Sequence, residues 1–275
     1  MTRRTVLVVV GLLSTVTPSV VLSAATAAPQ AANAVSIVHP PLSALTSTRN
    51  DSVTSTNWSG YAVSAASPFT GVLGTWVQPT ATCSSGFLAG STYSSFWVGL
   101  DGYTSSSVEQ LGTDSDCSRG TPTYYAWYEM YPANSVQLSS STYPVKPGDT
   151  LSASVTRNGT SYTLAMTDTE NGANRWTFSQ PETGTEANSS AEWVAEAPEI
   201  CTFIFCRLAN LTNFGTVTFS GSVAATGGAN QPISSFTASG GPHEMTMVSS
   251  NGTVKAQPSP LNSGGNGFSD TWKHT

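Results

Sequence analysis

Charge is scarce in this 275-residue chain: Asp, Glu, Lys and Arg together make up 9% of it. All 16 acidic residues lie from Asp51 onward with 7 of the 10 basic ones, so that part carries a formal charge of −9. It has no basic stripe to follow a phosphate backbone, and an anionic membrane surface repels it. Nucleic acid and membranes are therefore excluded as partners. Few charges also mean few native ion pairs for acid to break. Long apolar runs are missing too. The stretch from Val6 to Leu13 is too short and interrupted to span a bilayer. Helical periodicity never persists, which excludes bundles and alternating α/β folds.

The usual hydrolytic equipment is equally thin. From Asn57 to Thr275 the histidines are His243 and His274, and no Gly-x-Ser-x-Gly elbow exists. His243-Glu244 opens like a zinc-protease helix, but the residue four after His243 is Met247. Paired Asp-Thr-Gly or Asp-Ser-Gly motifs are absent, which removes the aspartic-protease site. The 4 cysteines of an exported chain form disulfides, which leaves no thiol nucleophile. They can pair in three ways. Cys201 and Cys206 enclose only Thr202 to Phe205 and clamp a small loop, leaving Cys83 to pair with Cys117. That pairing puts both bridges beside the carboxylates described below.

What is present starts with Arg3 and Arg4, an apolar run, and small residues up to Ala28. This is the order of a secretory signal over 1–28, so the protein is expected to be secreted. Residues 29–56 are rich in Ala, Ser, Thr, Pro and Asn without periodicity, and read as a linker or a removable pro-segment outside the core. Residues 57–275 suffice for one large all-β domain. Short β-branched and aromatic runs recur there, as at Val72 to Val77, Ser94 to Leu100, Thr123 to Tyr131, Ala191 to Glu196 and Thr216 to Phe219. Leu151 to Arg157, then Asn158-Gly159, then Thr160 to Met166 predicts a hairpin turning at Asn-Gly. Regular strands without intervening helices predict an antiparallel β-sandwich of two large sheets, jelly-roll-like.

Carboxylates are the chemistry that remains. Ala191-Glu192-Trp193-Val194-Ala195-Glu196 reads as a strand aiming Glu192 and Glu196 at one face. Four residues at ~3.3 Å each separate them by about 13 Å. A retaining glycosidase pair needs ~5–5.5 Å and an inverting one ~6.5–9.5 Å. The two cannot act together, so one needs a partner from elsewhere in the fold.

Six segments supply that partner. Asn57-Trp58-Ser59-Gly60, Trp97-Val98-Gly99-Leu100-Asp101-Gly102 and Gln110-Leu111-Gly112-Thr113-Asp114 come first. Trp127-Tyr128-Glu129-Met130-Tyr131-Pro132, Ala191 to Glu196 and Phe214 to Phe219 follow. In this order the chain resembles the glutamic peptidases, or eqolisins, over nearly the whole of 57–275. The resemblance implies an acid-acting endopeptidase on a two-sheet sandwich, with Gln110 and Glu196 as the catalytic pair. Trp58, Trp97, Asp101, Asp114 and Glu129 match positions that line or support the cleft. It implies protein or peptide substrates, no cofactor or metal, and a monomer. Three features depart from the family pattern: the short Cys201 to Cys206 loop, Met130 in place of an aromatic, and the short stretch before Asn57.

The residue types suit that chemistry. An ionised Glu196 can take a proton from water and pass it to the leaving amine. Gln110 cannot titrate, so its amide remains a donor to the oxyanion in acid. The base then needs neighbours that lower its pKa or donate to it. Glu192 is left as support or surface. Two other classes fit the composition: a lectin-like sugar-binding sandwich and a glycoside hydrolase.

Overall fold

The computed structural model describes residues 35–47, 52–85, 90–202, 205–237 and 241–275. The signal expected over 1–28 lies outside them. Three short strands come first: β1 (Ser36–Val38), β2 (Ala44–Ser47) and β3 (Ser52–Ser55). They are followed by β4 (Trp58–Ser64), β5 (Gly71–Val77), β6 (Ser95–Leu100), β7 (Val108–Ser118), β8 (Thr121–Tyr131) and β9 (Val136–Gln137). Then come β10 (Thr150–Asn158), β11 (Ser161–Glu170), β12 (Ala173–Thr183), β13 (Ser190–Glu196), β14 (Glu199–Cys201) and β15 (Cys206–Leu208). The chain finishes through β16 (Thr216–Ala225), β17 (Gln231–Pro232), β18 (His243–Val248), β19 (Val254–Pro258) and β20 (Phe268–Trp272). The one helical turn among the described residues is Ile233–Ser235.

Hydrogen bonding orders these strands into two antiparallel layers. One runs β9–β8–β7–β6–β13–β4–β18. The other runs β12–β11–β10–β5–β16–β20–β19 and joins the first where β19 pairs with β18. Between them lies the main core, with Trp76, Phe96, Val98, Leu111, Trp193, Phe219 and Phe268. Trp193 stitches the layers together by donating its indole N–H to the Leu73 carbonyl at 2.8 Å. The expected antiparallel sandwich is therefore found.

Strand alternation sends the neighbours of these core residues to the opposite face of the first layer. Trp58, Trp97, Val108, Tyr125, Trp127 and Val194 form a second apolar cluster there. Both faces are covered, so every residue of β6 and of β13 is buried. The strands approach closely. Gly60, opposite Val194, has φ +136°, and a Cβ there would lie 2.1 Å from the Trp193 carbonyl oxygen. No L side chain fits.

Three expectations change. Of residues 29–56, the described ones, 35–47 and 52–56, do not stay apart from the fold. β1 pairs with β14, β2 with β3, β3 runs parallel to β18, and Val53 enters the second apolar cluster. Small polar residues without periodicity suit short strands whose hydrogen bonds come from elsewhere in the fold. The hairpin forms with its loop one residue later. Asn158 pairs with Ser161, leaving Gly159-Thr160 as the loop with Gly159 at φ +62°. Glycine at the first loop position supplies the positive φ alone. Glu192 is fully buried, so its surface reading is withdrawn. The disulfides are Cys83–Cys117 and Cys201–Cys206, as the spacing favours.

Few ion pairs hold this fold, but many carboxyls lie inside it. Burial pushes Glu109 up to about 9, aided by the negative charges of Asp101 and Glu186. Burial also raises Asp270 to about 7, and lifts Glu192 and Asp116 well above the usual carboxylate range. An unfolded chain ionises these groups near pH ~4. Above that, the unfolded state loses protons that the folded state keeps, so stability falls with rising pH. The stability is fully present below about pH 4 and is lost as pH climbs through the folded values. The melting temperature should therefore be highest in acid and fall by on the order of 10 °C towards pH ~8, since 1 kcal/mol moves a domain of this size by ~2–4 °C. Calorimetry across pH tests this. Glu109→Gln and Glu192→Gln should each narrow the fall, and a melting temperature that rises towards neutrality would refute the account.

Candidate active site

The outward face of the first layer collects one polar side chain from each of several strands. On β7, Gln110 sits opposite Gly99 of β6 on one side and Glu129 of β8 on the other. On β13, Glu196 pairs with Trp58 of β4 and Ser95 of β6. Trp97 donates its indole N–H to Glu196 Oε2 at 2.8 Å and meets Trp58 edge-on, ring centres 4.9 Å apart. The expected pair, Gln110 and Glu196, thus shares one buried face with Trp58, Trp97 and Glu129.

What links the pair is His39, from the stretch that reads as a linker. Its ring Nδ1 lies 3.1 Å from Glu196 Oε2, and its carbonyl accepts from Gln110 Nε2 at 2.7 Å. Its backbone N–H donates to Glu129 Oε2 at 2.9 Å, the same oxygen that accepts from Gln110 Nε2 at 3.2 Å. The imidazole stacks on Trp127, ring centres 3.6 Å apart and 3° from parallel. His39 is only 1% exposed and Glu196 not at all. Flanking residues are fastened as well. Trp58 Nε1 donates to the Pro40 carbonyl at 3.1 Å, Asn57 Nδ2 to the Pro41 carbonyl at 3.0 Å, and Ser43 N–H to Asn57 Oδ1 at 2.8 Å.

The contacts around Gln110 fix its amide orientation. The His39 carbonyl can only accept, so the atom facing it must be the nitrogen. Its Oε1, Glu196 Oε1 and Glu129 Oε1 are buried without a protein hydrogen-bond partner. Glu129 is raised to about 8 by burial, against the lowering effect of the His39 N–H. In acid it therefore carries a proton, and Oε1 can hold it while Oε2 continues to accept.

Asp114 acts one layer further out. Its Oδ1 accepts from the Trp127 indole at 2.6 Å and its Oδ2 from the Tyr125 hydroxyl at 2.8 Å. Tyr125 Oη also lies 2.9 Å from Asp116 Oδ2. One hydroxyl proton cannot serve two carboxylates, so a carboxyl of this chain must be protonated. Burial agrees: it lifts Asp114 to about 7, and the proximity of Asp114 helps raise Asp116. Asp114 thereby holds the indole on which His39 stacks. Asp101 works elsewhere. It sits at φ +69° and accepts from Ser189 N–H, Ser189 Oγ and Ser105 Oγ at 2.8 to 3.0 Å, tying two loops together.

One expectation about the base is reversed. The chemistry asks for a lowered pKa at Glu196, and the Trp97 and Trp58 indoles do pull it down. Burial outweighs them, joined by Glu129 and Asp114, and the carboxyl lies well above its ordinary range. Burial also lowers His39, so at this contact it disfavours the charged form of each partner. The physical reason is full burial, and the His39 ring is one of the groups lying against the carboxyl. His39 precedes the 57–275 stretch in which the sequence points to chemistry. The signal available is a histidine followed by Pro40-Pro41, which forces an extended backbone. His243 lies on β18 and stacks on Tyr103, ring centres 4.5 Å apart.

With this geometry in view, the likeness to known proteins is extensive. Residues 56–265 match the peptidase A4 family. The chain is 31% identical over 192 residues to aspergillopepsin-2 of Aspergillus niger, covering 63% of this chain and 66% of that one. It is 34% identical over 149 residues to scytalidopepsin B of Scytalidium lignicola, covering 53% of each. The matched regions thus span about two thirds and one half of these relatives' lengths. A crystal structure of scytalido-glutamic peptidase with a peptide-based transition state analog superposes with a TM-score of 0.65 at 25% identity, over 79% of this chain and 98% of that one. A polar pair on a buried sandwich face and a family match across most of the chain agree: this protein belongs to the peptidase A4 family, the eqolisins.

Proposed function

We propose that this protein is a secreted, acid-acting endopeptidase that hydrolyses peptide bonds with Glu196 as general base and Gln110 as oxyanion donor. The observation that carries the reading is the 2.7 Å contact of Gln110 Nε2 with the carbonyl of an extended peptide whose next contact is Glu196. A substrate carbonyl at that point meets a donor that no pH can titrate. The buried oxygens Gln110 Oε1 and Glu196 Oε1 are acceptors that can orient a water molecule.

The reaction follows from these atoms. Glu196 takes a proton from water as the water oxygen attacks the carbonyl carbon. The charge that gathers on the carbonyl oxygen is held by Gln110 Nε2, a donor worth roughly 10²–10³ in rate. Glu196 then passes the proton to the departing nitrogen, and the carbon–nitrogen bond breaks. Glu129 Oε2 keeps the amide of Gln110 aimed, and Trp97 holds Glu196 in place. Displacing the covering peptide hydrates Glu196 and moves its pKa back towards the carboxylate range. Acid suits the arrangement because Glu129 and Asp114 are then neutral and do not oppose charge on the base. Export is supported by the amino-terminal pattern and the two disulfides.

Denatured casein at acid pH, with fragments read by mass spectrometry, is the direct assay. Glu196→Gln should lower cleavage by at least ~10²–10⁴-fold, the range of a general base. Gln110→Ala should lose about 10²–10³-fold. Gln110→Glu should fail as well, since a second acid beside Glu196 raises one pKa and repels the oxyanion when ionised. Glu192→Gln should stay near wild type, with circular dichroism confirming the fold of all four. Wild-type activity in Glu196→Gln would end this reading. Sugar release from β-glucans without casein cleavage would transfer it to a glycoside hydrolase.

Glu129→Leu gives a finer test, because it keeps the branched shape but removes the oxygen that two N–H groups share. Its kcat should fall by about fivefold with little change in KM, since one hydrogen bond is worth ~1 kcal/mol. A change confined to KM would mean that Glu129 binds substrate and does not aim Gln110.

A further inference from the structure

We propose that residues 36–43 are a built-in peptide inhibitor lying along the substrate path, with the His39–Pro40 bond held at the catalytic pair and Pro40 preventing its cleavage. This rests on the peptidase reading above and adds the direction, the register and the side-chain preference of the peptide that the site takes.

The direction comes from β1. Ser36, Ile37 and Val38 pair antiparallel with Cys201, Ile200 and Glu199 of β14. The other edge of β14 is closed by β15, with Cys201 opposite Cys206 and a disulfide joining them. An edge strand braced in this way can accept an extended peptide through main-chain hydrogen bonds, which read no sequence. Beyond His39 the grip is again mostly on the backbone. The Pro40 and Pro41 carbonyls accept from Trp58 and Asn57, and Leu42 N–H donates to the Gly102 carbonyl at 3.0 Å. A site that holds main-chain groups on both sides of one residue has the form of a cleft for a peptide running through it.

The register comes from His39. Its carbonyl oxygen is the one that Gln110 Nε2 reaches, so the bond presented for attack joins His39 to Pro40. The His39 ring lies on Glu196 Oε2, the oxygen that Trp97 also holds, and leaves Oε1 for a water molecule. The reaction stops at the leaving group. The nitrogen that would have to leave belongs to proline. Its ring fixes φ and crowds the face from which a proton must arrive. The ring of His39 lies flat on Trp127, so the subsite before the cut bond is shaped for a planar side chain. Imidazole or aromatic residues should be favoured at that position in substrates.

Replacing the proline turns the inhibitor into a substrate. In the full chain carrying Pro40→Ala, water adds its hydroxyl to the His39 carbonyl carbon, and the backbone nitrogen of residue 40 leaves with a proton. This gives a carboxyl terminus at His39 and a new amino terminus at residue 40. Incubation in acid followed by intact-mass and amino-terminal analysis should find that cut in Pro40→Ala, an intact bond in wild type, and no cut in Pro40→Ala with Glu196→Gln. Casein cleavage by the Pro40→Ala chain should rise on the order of tenfold over wild type as the severed segment departs. A Pro40→Ala chain that digests casein while its bond between residues 39 and 40 stays whole would overturn the proposal, as would a cut that persists without Glu196. Docking is read separately by hydrogen exchange on the wild-type chain. Protection of the amides of residues 36–39 and 42–43 is expected, and exchange at the rate of a free peptide would overturn the proposal whatever the activity. Protected amides with no casein cleavage by either chain would count against the peptidase reading and leave the docking in place.

Discussion

The two-residue alternation of a strand buried on both faces is the constraint from which the site follows. β13 sends Ala191, Trp193 and Ala195 into the core between the layers, and so must send Glu192, Val194 and Glu196 the other way. β6 does the same with Phe96 and Val98 against Trp97. A slip of one residue in β13 would put Glu192 and Glu196 into an apolar core and the Trp193 indole onto the far face, and one in β6 would turn Trp97 away from Glu196. The cost of that slip locks the register. The Trp97 to Glu196 hydrogen bond is a by-product of the core packing behind it.

Burying so many acids has a consequence that joins stability to chemistry. A carboxyl removed from water avoids its charge by keeping its proton, as Glu109, Glu129, Asp114 and Asp270 do. The protein then prefers the conditions in which neutral carboxyls are normal. The shared Tyr125 hydroxyl between Asp114 and Asp116 needs such a proton, and the indole of Trp127 depends on Asp114 for its place. Through Trp127 the protonated network reaches the peptide itself. The same acid that the fold tolerates is thus what its platform requires.

Much of this is legible in the residues. Short strands, an absence of helical period and glycine-bearing turns point to the sandwich, and Cys201 and Cys206 stand close enough to name their own partner. The ordered segments around Gln110 and Glu196 carry the pair. Other features are not legible, for reasons that can be named. The turn after Asn158 moves by one residue because Gly159 alone supplies the positive φ. Glu192 reads as an open alternative because nothing in the strand says that its second face is covered. Glu196 is expected to be acidified by donors, which it has, but no local pattern reveals what lies on top of it.

By itself, the sequence determined the fold class, the strand that carries Glu196 and the low charge that suits an acidic setting, because alternation, turn chemistry and composition are local properties. Tertiary structure decided what fills the face that those strands create. His39 is 157 residues from Glu196 and 71 from Gln110, and touches both. The stretch 29–56 around it is rich in Ala, Ser, Thr, Pro and Asn without period, so nothing local distinguishes a free linker from a segment held by another element's backbone. The hydrogen bonds that hold it come from β14, Gln110, Glu129, Trp58 and Asn57, and those groups converge only once the sandwich has closed.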